Sequence, residues 1–299
     1  MFFTKAIRGK SFIRHRLAAI KGLLGGVFSL AETIAIILPA KISPTRASLM
    51  PRYMDFLKEK TEEEIRSFME KNYPSVLNKI EGDNRSALLY DDKLSLVYEV
   101  IVADQYKAKK FLKPDSIVID AGANIGVFSV FAATIAKQGK IFAFEPVKKT
   151  YDIMQRNVRG LSQVLSFQKG LGEKEGVHEI LTSYRSAGMS AMVDSELAEK
   201  NKKYFDGAEK VEITTIDKVV EREKIPRVDF IKIDTEGYEA NVLEGARETI
   251  KKWKPVIAMS AYHNKNDKEN LPKLLKNICG DYVCELHISA EEDLICYVK

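Results

Sequence analysis

The feature that most limits the fold of this chain is a regular alternation of short apolar runs with helical stretches after Pro114. The predicted elements are a strand at 116–120, a helix at 126–137, a strand at 140–145, a helix at 148–158 and a strand at 165–168. Strands that alternate with helices build parallel sheets with right-handed crossovers. Ligands of such sheets bind at the carboxyl ends of the strands. The sequence therefore predicts an α/β fold with a ligand site at that edge.

The first predicted strand ends in a turn of small residues, Asp120-Ala-Gly-Ala-Asn-Ile-Gly126. Gly122 lets the backbone turn tightly and approach a ligand, and Gly126 permits close packing of the following helix. Asn124 lies between them and is assigned to the same cradle. A carboxylate at the strand end repels a pyrophosphate but attracts the ammonium group of a methionine moiety. Asp120 therefore favours S-adenosylmethionine over a dinucleotide.

Acidic residues also follow the next two predicted strands. Glu145 closes the second strand, where a carboxylate can accept hydrogen bonds from both hydroxyls of a ribose. The third strand leads into a glycine-rich loop in which Glu173 is a candidate acceptor for the amino group of an adenine; an ordinary turn explains this loop equally well. The predicted cofactor-binding residues are Asp120, Gly122, Asn124, Gly126, Glu145 and Glu173.

A second polar group follows two later strands, predicted at 228–234 and 256–260. A hydroxyl loses its proton as it attacks a methyl group, so a positioned base, a metal or both would assist. Asp234, Glu236 and His263 are the predicted catalytic residues. Acidic residues also stabilise helix amino termini, which explains Glu236 equally well, ahead of a helix predicted at 239–251. The three side chains could hold a divalent cation, but spacing gives no geometry, so no metal is predicted.

These motifs taken together resemble the FkbM family of S-adenosylmethionine-dependent methyltransferases. The segments that carry the resemblance are Ile117–Ser129, Phe142–Pro146, Gly170–Gly176, Thr214–Asp217, Val228–Glu239 and Val242–Gly245. The resemblance implies a Rossmann-like class I methyltransferase sheet and methyl transfer to a hydroxyl of a sugar, glycolipid or secondary metabolite. The segment from Tyr184 to Met192, between the third and fourth strands, is predicted to line the acceptor pocket.

Charge distribution narrows the substrate class. Residues 1–50 hold eight Lys and Arg against one Glu, a net charge of +7, which leaves −2 of the total +5 for the rest. A catalytic region of that sign lacks the basic surface that nucleic acids require, so no nucleic-acid partner is predicted. Two alternatives to a methyltransferase stay open, an NAD-dependent oxidoreductase and a non-catalytic, membrane-tethered Rossmann-like scaffold.

The basic segment at 1–50 is predicted to contain an amphipathic helix. Apolar residues from Ile13 to Leu38 recur at spacings of three and four, and Pro39 ends the pattern. Such a helix can pack on its own domain or on a second subunit of a homo-oligomer, lie on an anionic membrane surface, or serve as a targeting segment. Lys21 and Glu32 leave an uncharged run too short to span a bilayer. Packing on the chain's own domain, packing on a second subunit and binding to a membrane surface all stay open.

Residues 51–112 are predicted to form a helical lead-in that caps the methyltransferase domain at 113–299. A helix is expected over 51–80, with a capping-box start at Thr61.

The three cysteines, Cys279, Cys284 and Cys296, are odd in number and contain no CxxC pair, so they are interpreted as thiols in a reducing compartment. The predicted location is the cytoplasm, at the inner membrane surface if the amino-terminal segment binds there.

Overall fold

The computed structural model describes residues 66–67, 69–74, 76, 96–183, 190–193, 205–288 and 291–299. The chain divides into two compact units at Tyr73 and Pro74. In the described part of the first unit, residues 66–67 and 69–72 are helical. The predicted segment at 1–50 and the capping box at Thr61 lie outside the described residues, so they stay predictions, as do the domain boundaries. Within the described ranges, no helix has the length and apolar character needed to cross a membrane.

The second unit alternates strands with helices as the sequence predicts. Its strands are β1 (Ile117–Ala121), β2 (Lys140–Phe144), β3 (Val164–Phe167), β4 (Gly170–Leu171), β5 (Gly176–Thr182), β6 (Ser190–Met192), β7 (Gly207–Thr214), β8 (Phe230–Ile233), β9 (Val256–Ser260), β10 (Tyr282–Ile288) and β11 (Glu292–Val298). Its helices are a π-helix (Tyr98–Val102), α1 (Ala108–Phe111), α2 (Val127–Ile135), α3 (Lys148–Asn157), α4 (Ile216–Arg222), α5 (Glu239–Glu244), α6 (Arg247–Trp253) and α7 (Asp267–Ile278).

The main sheet has seven strands in the order β10-β11-β9-β8-β1-β2-β3. The five strands from β9 to β3 are parallel, whereas β11 runs antiparallel to β9 and β10 antiparallel to β11. The chain passes from β1 outward to β3 and then returns to the other side of β1, so β1 and β8 flank a topological switch point. This arrangement confirms the predicted α/β fold with a Rossmann-like sheet, and it places the ligand crevice beyond the ends of β1 and β8.

Burial explains why the central strands form. All five residues of β1 and all four of β8 are buried, as expected for parallel strands covered on both faces. Phe144 stacks on Phe167 with ring centroids 4.8 Å apart, which ties β2 to β3. Two charged residues, Asp120 and Lys232, interrupt this otherwise apolar centre, and both face the candidate site described below.

A second sheet that the sequence analysis missed has four strands in the order β4-β7-β5-β6. Its own small core contains Ile180, Met192, Val211 and Ile213 packed with Val147. The strands are short or partly exposed, so their apolar pattern is weak in the sequence. Of the segment predicted to line the acceptor pocket, 190–192 form β6, and 184–189 lie outside the described residues.

The single helix predicted at 239–251 is wrong, because the structure breaks it into α5 and α6 at Gly245 and Ala246. A Cβ at Gly245 would overlap the carbonyl oxygen of Gly172, so the chain can approach that loop only with glycine here. The Gly245 carbonyl accepts a hydrogen bond from the Asp217 N–H. The contacts of Gly245 with the loop after β4 and with α4 are therefore more favourable than a continuous helix at this point.

The interpretation of all three cysteines as thiols is also wrong. Cys284 and Cys296 form a disulfide between β10 and β11, while Cys279 is free and partly buried. The two bonded cysteines are direct partners in the antiparallel register, with Cα atoms 4.0 Å apart. Sequence spacing could not show this because the pairing depends on the hairpin register. Because two of the three cysteines are paired, the cysteines do not support the prediction of a reducing compartment.

Candidate active site

The turn after β1 is held by backbone contacts on both sides. Gly122 has a φ of 73°, and a Cβ there would overlap the carbonyl oxygen of Asp234 at the end of β8. The N–H groups of Gly122 and Ala123 both donate to the Phe144 carbonyl, at 3.1 and 2.8 Å. Gly126 has a φ of 86° and begins α2, where a Cβ would lie 3.0 Å from Cγ of Met154 in α3. The turn therefore joins the carboxyl ends of β1, β2 and β8.

Asp120 is fully buried beneath this turn. Its Oδ2 accepts a hydrogen bond from the Ser129 hydroxyl at 2.6 Å, and its Oδ1 lies 3.2 Å from Nζ of Lys232. Among the described residues, Oδ1 accepts no hydrogen bond of good geometry. A buried carboxylate oxygen with spare accepting capacity therefore underlies the turn.

Lys232, in β8, is a site residue that the sequence analysis missed. Its side chain is 4% exposed, and Nζ donates to the Gly122 carbonyl at 2.5 Å. The ammonium also lies 4.0 Å from Asp234 Oδ2 and 5.4 Å from the centre of the Tyr106 ring. A lysine inside the otherwise apolar run Phe-Ile-Lys-Ile was the signal that could have revealed it. Lys232 links the two acidic strand ends, Asp120 and Asp234.

Glu145, just after β2, is buried and fixes the position of Asn124. Glu145 Oε2 accepts from the Asn124 N–H, and Oε1 accepts from the Val147 N–H, both at 3.0 Å. Burial raises the pKa of Glu145 to about 7, against the lowering effect of these two hydrogen bonds. Asn124 has a left-handed backbone, with φ at 52°, and its Oδ1 accepts from the Ile125 N–H. The two predicted residues thus lie together at the end of β2.

Glu173 lies in the loop between β4 and β5. Its carboxylate is 3.1 Å from Nζ of Lys174, and its side chain is about half exposed. The preceding Gly172 packs closely against the Tyr238 ring, where a Cβ would lie 2.8 Å from Cε1. The loop is therefore fixed beside the turn that follows β8, while the Glu173 carboxylate itself points to solvent and its neighbour. Its role with adenine stays a prediction.

Asp234 directly follows β8 and receives two side-chain hydrogen bonds. The Tyr106 hydroxyl donates to Oδ2 at 2.8 Å, and the Ser260 hydroxyl donates to Oδ1 at 3.0 Å. Burial opposes ionisation of Asp234, but Lys232, His263 and these hydrogen bonds outweigh it and hold its pKa below the usual range. The structure therefore presents Asp234 as a carboxylate.

His263, after β9, is surrounded by carboxylates. Its Nδ1 lies 2.9 Å from Glu239 Oε1, and its Nε2 lies 3.4 Å from Glu236 Oε2 and 3.8 Å from Asp234 Oδ1. Burial lowers the pKa of His263, but the three carboxylates more than compensate and raise it well above the usual value. The neighbouring acidic groups therefore favour the protonated imidazole, which makes His263 a poor proton acceptor.

Glu236 and Glu239 occupy different positions in this cluster. Glu239 is buried, and its Oε1 accepts from the N–H groups of Thr235 and Gly237 in the turn before α5. Glu236 stands at the tip of that turn with a φ of 54°, and 31% of its side chain is exposed. Burial, together with the charges of Asp234 and Glu239, raises the pKa of Glu236 to about 8 against the effect of His263. Glu239 thus shapes the turn, and Glu236 is a partly exposed member of the cluster.

A further carboxyl, Asp293 in β11, lies behind Asp234 and was not predicted. It is fully buried, and its Oδ1 accepts from Nε2 of Gln105 at 3.2 Å, with the Ser260 hydroxyl 3.4 Å away. Burial raises its pKa to about 8. Tyr106 and Gln105 reach the site from the segment before α1, more than a hundred residues away in sequence, which left no local signal.

The structure brings the predicted catalytic residues Asp234, Glu236 and His263 together, and it joins them to the turn after β1 through Lys232. Glu145 and Asn124 lie at the next strand end. Three groups at this edge can take part in chemistry. Asp120 is a buried hydrogen-bond acceptor beneath the turn, Glu145 is a carboxylate that can accept hydrogen bonds from two neighbouring hydroxyls, and His263 is an imidazole surrounded by acidic side chains. Such a set can bind a cationic, ribose-bearing ligand beside a group that loses a proton.

The chain matches the model of a known protein family. The family model described as the methyltransferase FkbM domain matches residues 120–284, which is more than half of the chain. The chain belongs to this family. The match begins at Asp120 and includes every residue of the cluster around His263, whereas Tyr106, Gln105 and Asp293 lie outside the matched part.

Several curated relatives are named as methyltransferases. The chain is 33% identical to methyltransferase sdnD of Sordaria araneosa, over 51% of this chain and 68% of that protein. It is 28% identical to hexuronic acid methyltransferase AglP of Haloferax volcanii, over 54% of this chain and 62% of AglP. It is 24% identical to 2-O-methyltransferase NoeI of Sinorhizobium fredii, over 47% of this chain and 61% of NoeI. The alignments thus span roughly two thirds of each relative.

Proposed function

We propose that this methyltransferase uses S-adenosylmethionine to methylate a hydroxyl group of a sugar, glycolipid or secondary metabolite. The observation that carries the proposal is the position of the Asp120–Gly126 turn directly beside the cluster of Asp234, Glu236 and His263 at the switch point of the sheet. The names of AglP and NoeI, which specify a hexuronic acid and a 2-O position, support a hydroxyl of a sugar as acceptor.

The residues of the turn fit the proposed cofactor. Asp120 Oδ1 is buried and, although Nζ of Lys232 lies 3.2 Å away, it accepts no hydrogen bond of good geometry from the described residues, so it keeps capacity to attract the cofactor ammonium. Each oxygen of Glu145 accepts one backbone N–H and keeps capacity for a ribose hydroxyl. When bound, the cofactor supplies a methyl group on a positively charged sulfur. The chain supplies the alignment of that group with the acceptor hydroxyl.

The cluster after β8 and β9 is proposed to hold the acceptor. Asp234 is a carboxylate fixed by Tyr106 and Ser260, so it can accept the hydrogen bond and then the proton of the attacking hydroxyl. Glu236 and His263 Nε2 stand beside it and orient the acceptor from the crevice side. His263 is assigned to orientation, and not to proton acceptance, because its three carboxylate neighbours keep it charged.

Binding calorimetry distinguishes this proposal from its alternatives. We expect S-adenosylmethionine to bind the full-length protein and NAD not to bind, because Asp120 repels a pyrophosphate and attracts an ammonium. Asp120→Asn should weaken binding, whereas Glu269→Gln, an exposed carboxyl on α7, should leave it unchanged. Methyl transfer is then measured from labelled cofactor to neutral and acidic sugars. Binding of NAD alone would overturn the proposal, and binding of neither ligand would favour a scaffold.

Cofactor affinity is also expected to depend on pH through Glu145. Its pKa is about 7, and the ionised form accepts hydrogen bonds from ribose hydroxyls, so affinity should rise as pH increases from 6 to 8. Calorimetric titrations over this range test the effect. The amino group of the cofactor titrates in the same region, so Glu145→Gln serves as reference. An identical pH dependence in both proteins would remove Glu145 from the ribose site.

A further inference from the structure

The side chains around His263 have the arrangement of a metal centre, which neither the sequence nor the family match assigns. His263 is 3% exposed on its side chain, and Nδ1 faces a carboxylate oxygen of Glu239 at 2.9 Å. That oxygen is held in turn by backbone N–H groups of Thr235 and Gly237. A carboxylate that fixes one ring nitrogen of a histidine leaves the other nitrogen oriented as a ligand, which is the usual environment of a metal-binding histidine.

The second ring nitrogen points between two further carboxylates. Nε2 lies 3.4 Å from Glu236 Oε2 and 3.8 Å from Asp234 Oδ1. Ligand atoms about 2.1 Å from a common ion are separated by roughly 3 to 4 Å, so both distances suit a shared cation. The His263 side chain is only 3% exposed, so Nε2 faces these two carboxylates in a nearly buried position.

The charge of the cluster points to a cation as well. Asp234, Glu236 and Glu239 meet around one histidine, and Lys232 is the nearest lysine among the described residues, already engaged with Asp120. Glu239 Oε2 is buried and has no hydrogen-bond partner in the described part of the chain. Ligand atoms of Asp234, Glu239 and His263 lie within 4.8 Å of one another, and Glu236 Oε2 lies 3.4 Å from Nε2 of the same imidazole, on the ring nitrogen that Glu239 does not contact. A buried, unsatisfied carboxylate oxygen is costly unless a cation offsets it.

We propose that Asp234, Glu236 and Nε2 of His263 bind a divalent transition-metal ion, with Glu239 orienting the imidazole. One imidazole and two carboxylates suit Mn²⁺, Fe²⁺, Co²⁺ or Zn²⁺ better than Mg²⁺ or Ca²⁺, which prefer oxygen ligands alone. The exposed side of Glu236 leaves room for the acceptor hydroxyl as a further ligand. A hydroxyl bound in this way would be more acidic and would release its proton to water on the exposed side of Glu236 as the methyl group is transferred, so Asp234 would serve as a ligand of the ion and not as the proton acceptor.

Titration of the untagged full-length protein with Co²⁺, in the absence of any methyl donor, tests this site by the visible absorption of the bound ion. We expect one equivalent to bind with a saturable spectrum. Glu236→Gln should weaken binding by at least tenfold, because it replaces a carboxylate ligand by a neutral amide at a partly exposed turn. The matched change Glu269→Gln, on α7, should bind Co²⁺ like the unaltered protein.

His263→Gln provides the second variant, with circular dichroism as a check that it is folded. Loss or a shift of the Co²⁺ spectrum in the folded variant supports the imidazole as ligand. Absence of saturable binding at millimolar Co²⁺, or an unchanged spectrum in both variants, would overturn the metal site. Because no methyl donor is present, this result is independent of the proposed methyl transfer, which fails only if S-adenosylmethionine does not bind or does not react.

Discussion

Replacing Lys232 with methionine is expected to lower the free energy of unfolding by about 3–5 kcal/mol, the usual effect of removing one partner of a buried ion pair. Asp120 is fully buried and Asp234 is partly buried, so the variant leaves Asp120 without its cation and the Gly122 carbonyl without its donor. Urea denaturation, followed by fluorescence of the single tryptophan, measures the change. Lys273→Met, at an exposed position on α7, should alter stability by less than about 0.5 kcal/mol.

A double variant separates the contribution of the Lys232–Asp120 ion pair to stability from the contribution of the packed lysine side chain. Lys232→Met combined with Asp120→Asn removes both charges, so we expect it to recover part of the lost stability, with a coupling of about 1–3 kcal/mol. The double variant should nevertheless fail to bind S-adenosylmethionine tightly, because Asp120 is gone. Strictly additive losses would show that the pair itself contributes nothing to stability.

Gly122→Ala is expected to cost more than about 4 kcal/mol, a loss typical of severe backbone conflict. Two effects combine at this position. The positive φ of 73° is unfavourable for alanine by roughly 1–2 kcal/mol, and the new Cβ would overlap the Asp234 carbonyl oxygen. Thermal or urea unfolding measures the loss, and cofactor binding should disappear because the turn must move away from β8.

Gly160→Ala is the matched control for this substitution. Gly160 has a similar φ of 78°, but a Cβ there meets nothing within 4 Å. The control therefore reports the backbone term alone, about 1–2 kcal/mol. If both glycine variants lose the same stability, contact between the turn and β8 is not what requires glycine at 122.

The cofactor half of the site was predictable because its signals are local. The order of β1, α2 and β2 follows from hydrophobic alternation, and the positions of Asp120, Gly122 and Glu145 follow from their places at the strand ends. The convergence of Asp234 and His263 was also predictable, because β8 and β9 are parallel neighbours whose carboxyl ends share one edge.

The contacts that set the charge of the site were not predictable in the same way. Tyr106 and Asp293 reach Asp234 and Ser260 from elements distant in sequence, so no spacing rule connects them. Lys232 was a readable exception, since a charged residue in the middle of a buried strand needs a partner. The charged state of His263 depends on three carboxylates whose distances only the fold defines.

The second sheet and the disulfide were missed for a related reason. Strands β4 and β6 contain only two and three residues, and the longer strands β5 and β7 are partly exposed, so the sheet has little apolar periodicity in the sequence. The bond between Cys284 and Cys296 depends on a register that places them directly opposite each other. Local patterns describe elements well, whereas pairing between elements must be established in three dimensions.

The left-handed backbone at Glu236, followed by a φ of 96° at Gly237, limits which residues can replace the glutamate during divergence of such enzymes. Asparagine, aspartate and glycine tolerate this conformation, whereas valine, isoleucine and threonine do not. Valine, the branched aliphatic residue that one nucleotide change reaches from a glutamate codon, is therefore disfavoured by the backbone. A mutant library at residue 236 can be restricted to Asp, Asn, Gln and Gly and still sample the charge, length and hydrogen-bonding of this partly exposed side chain.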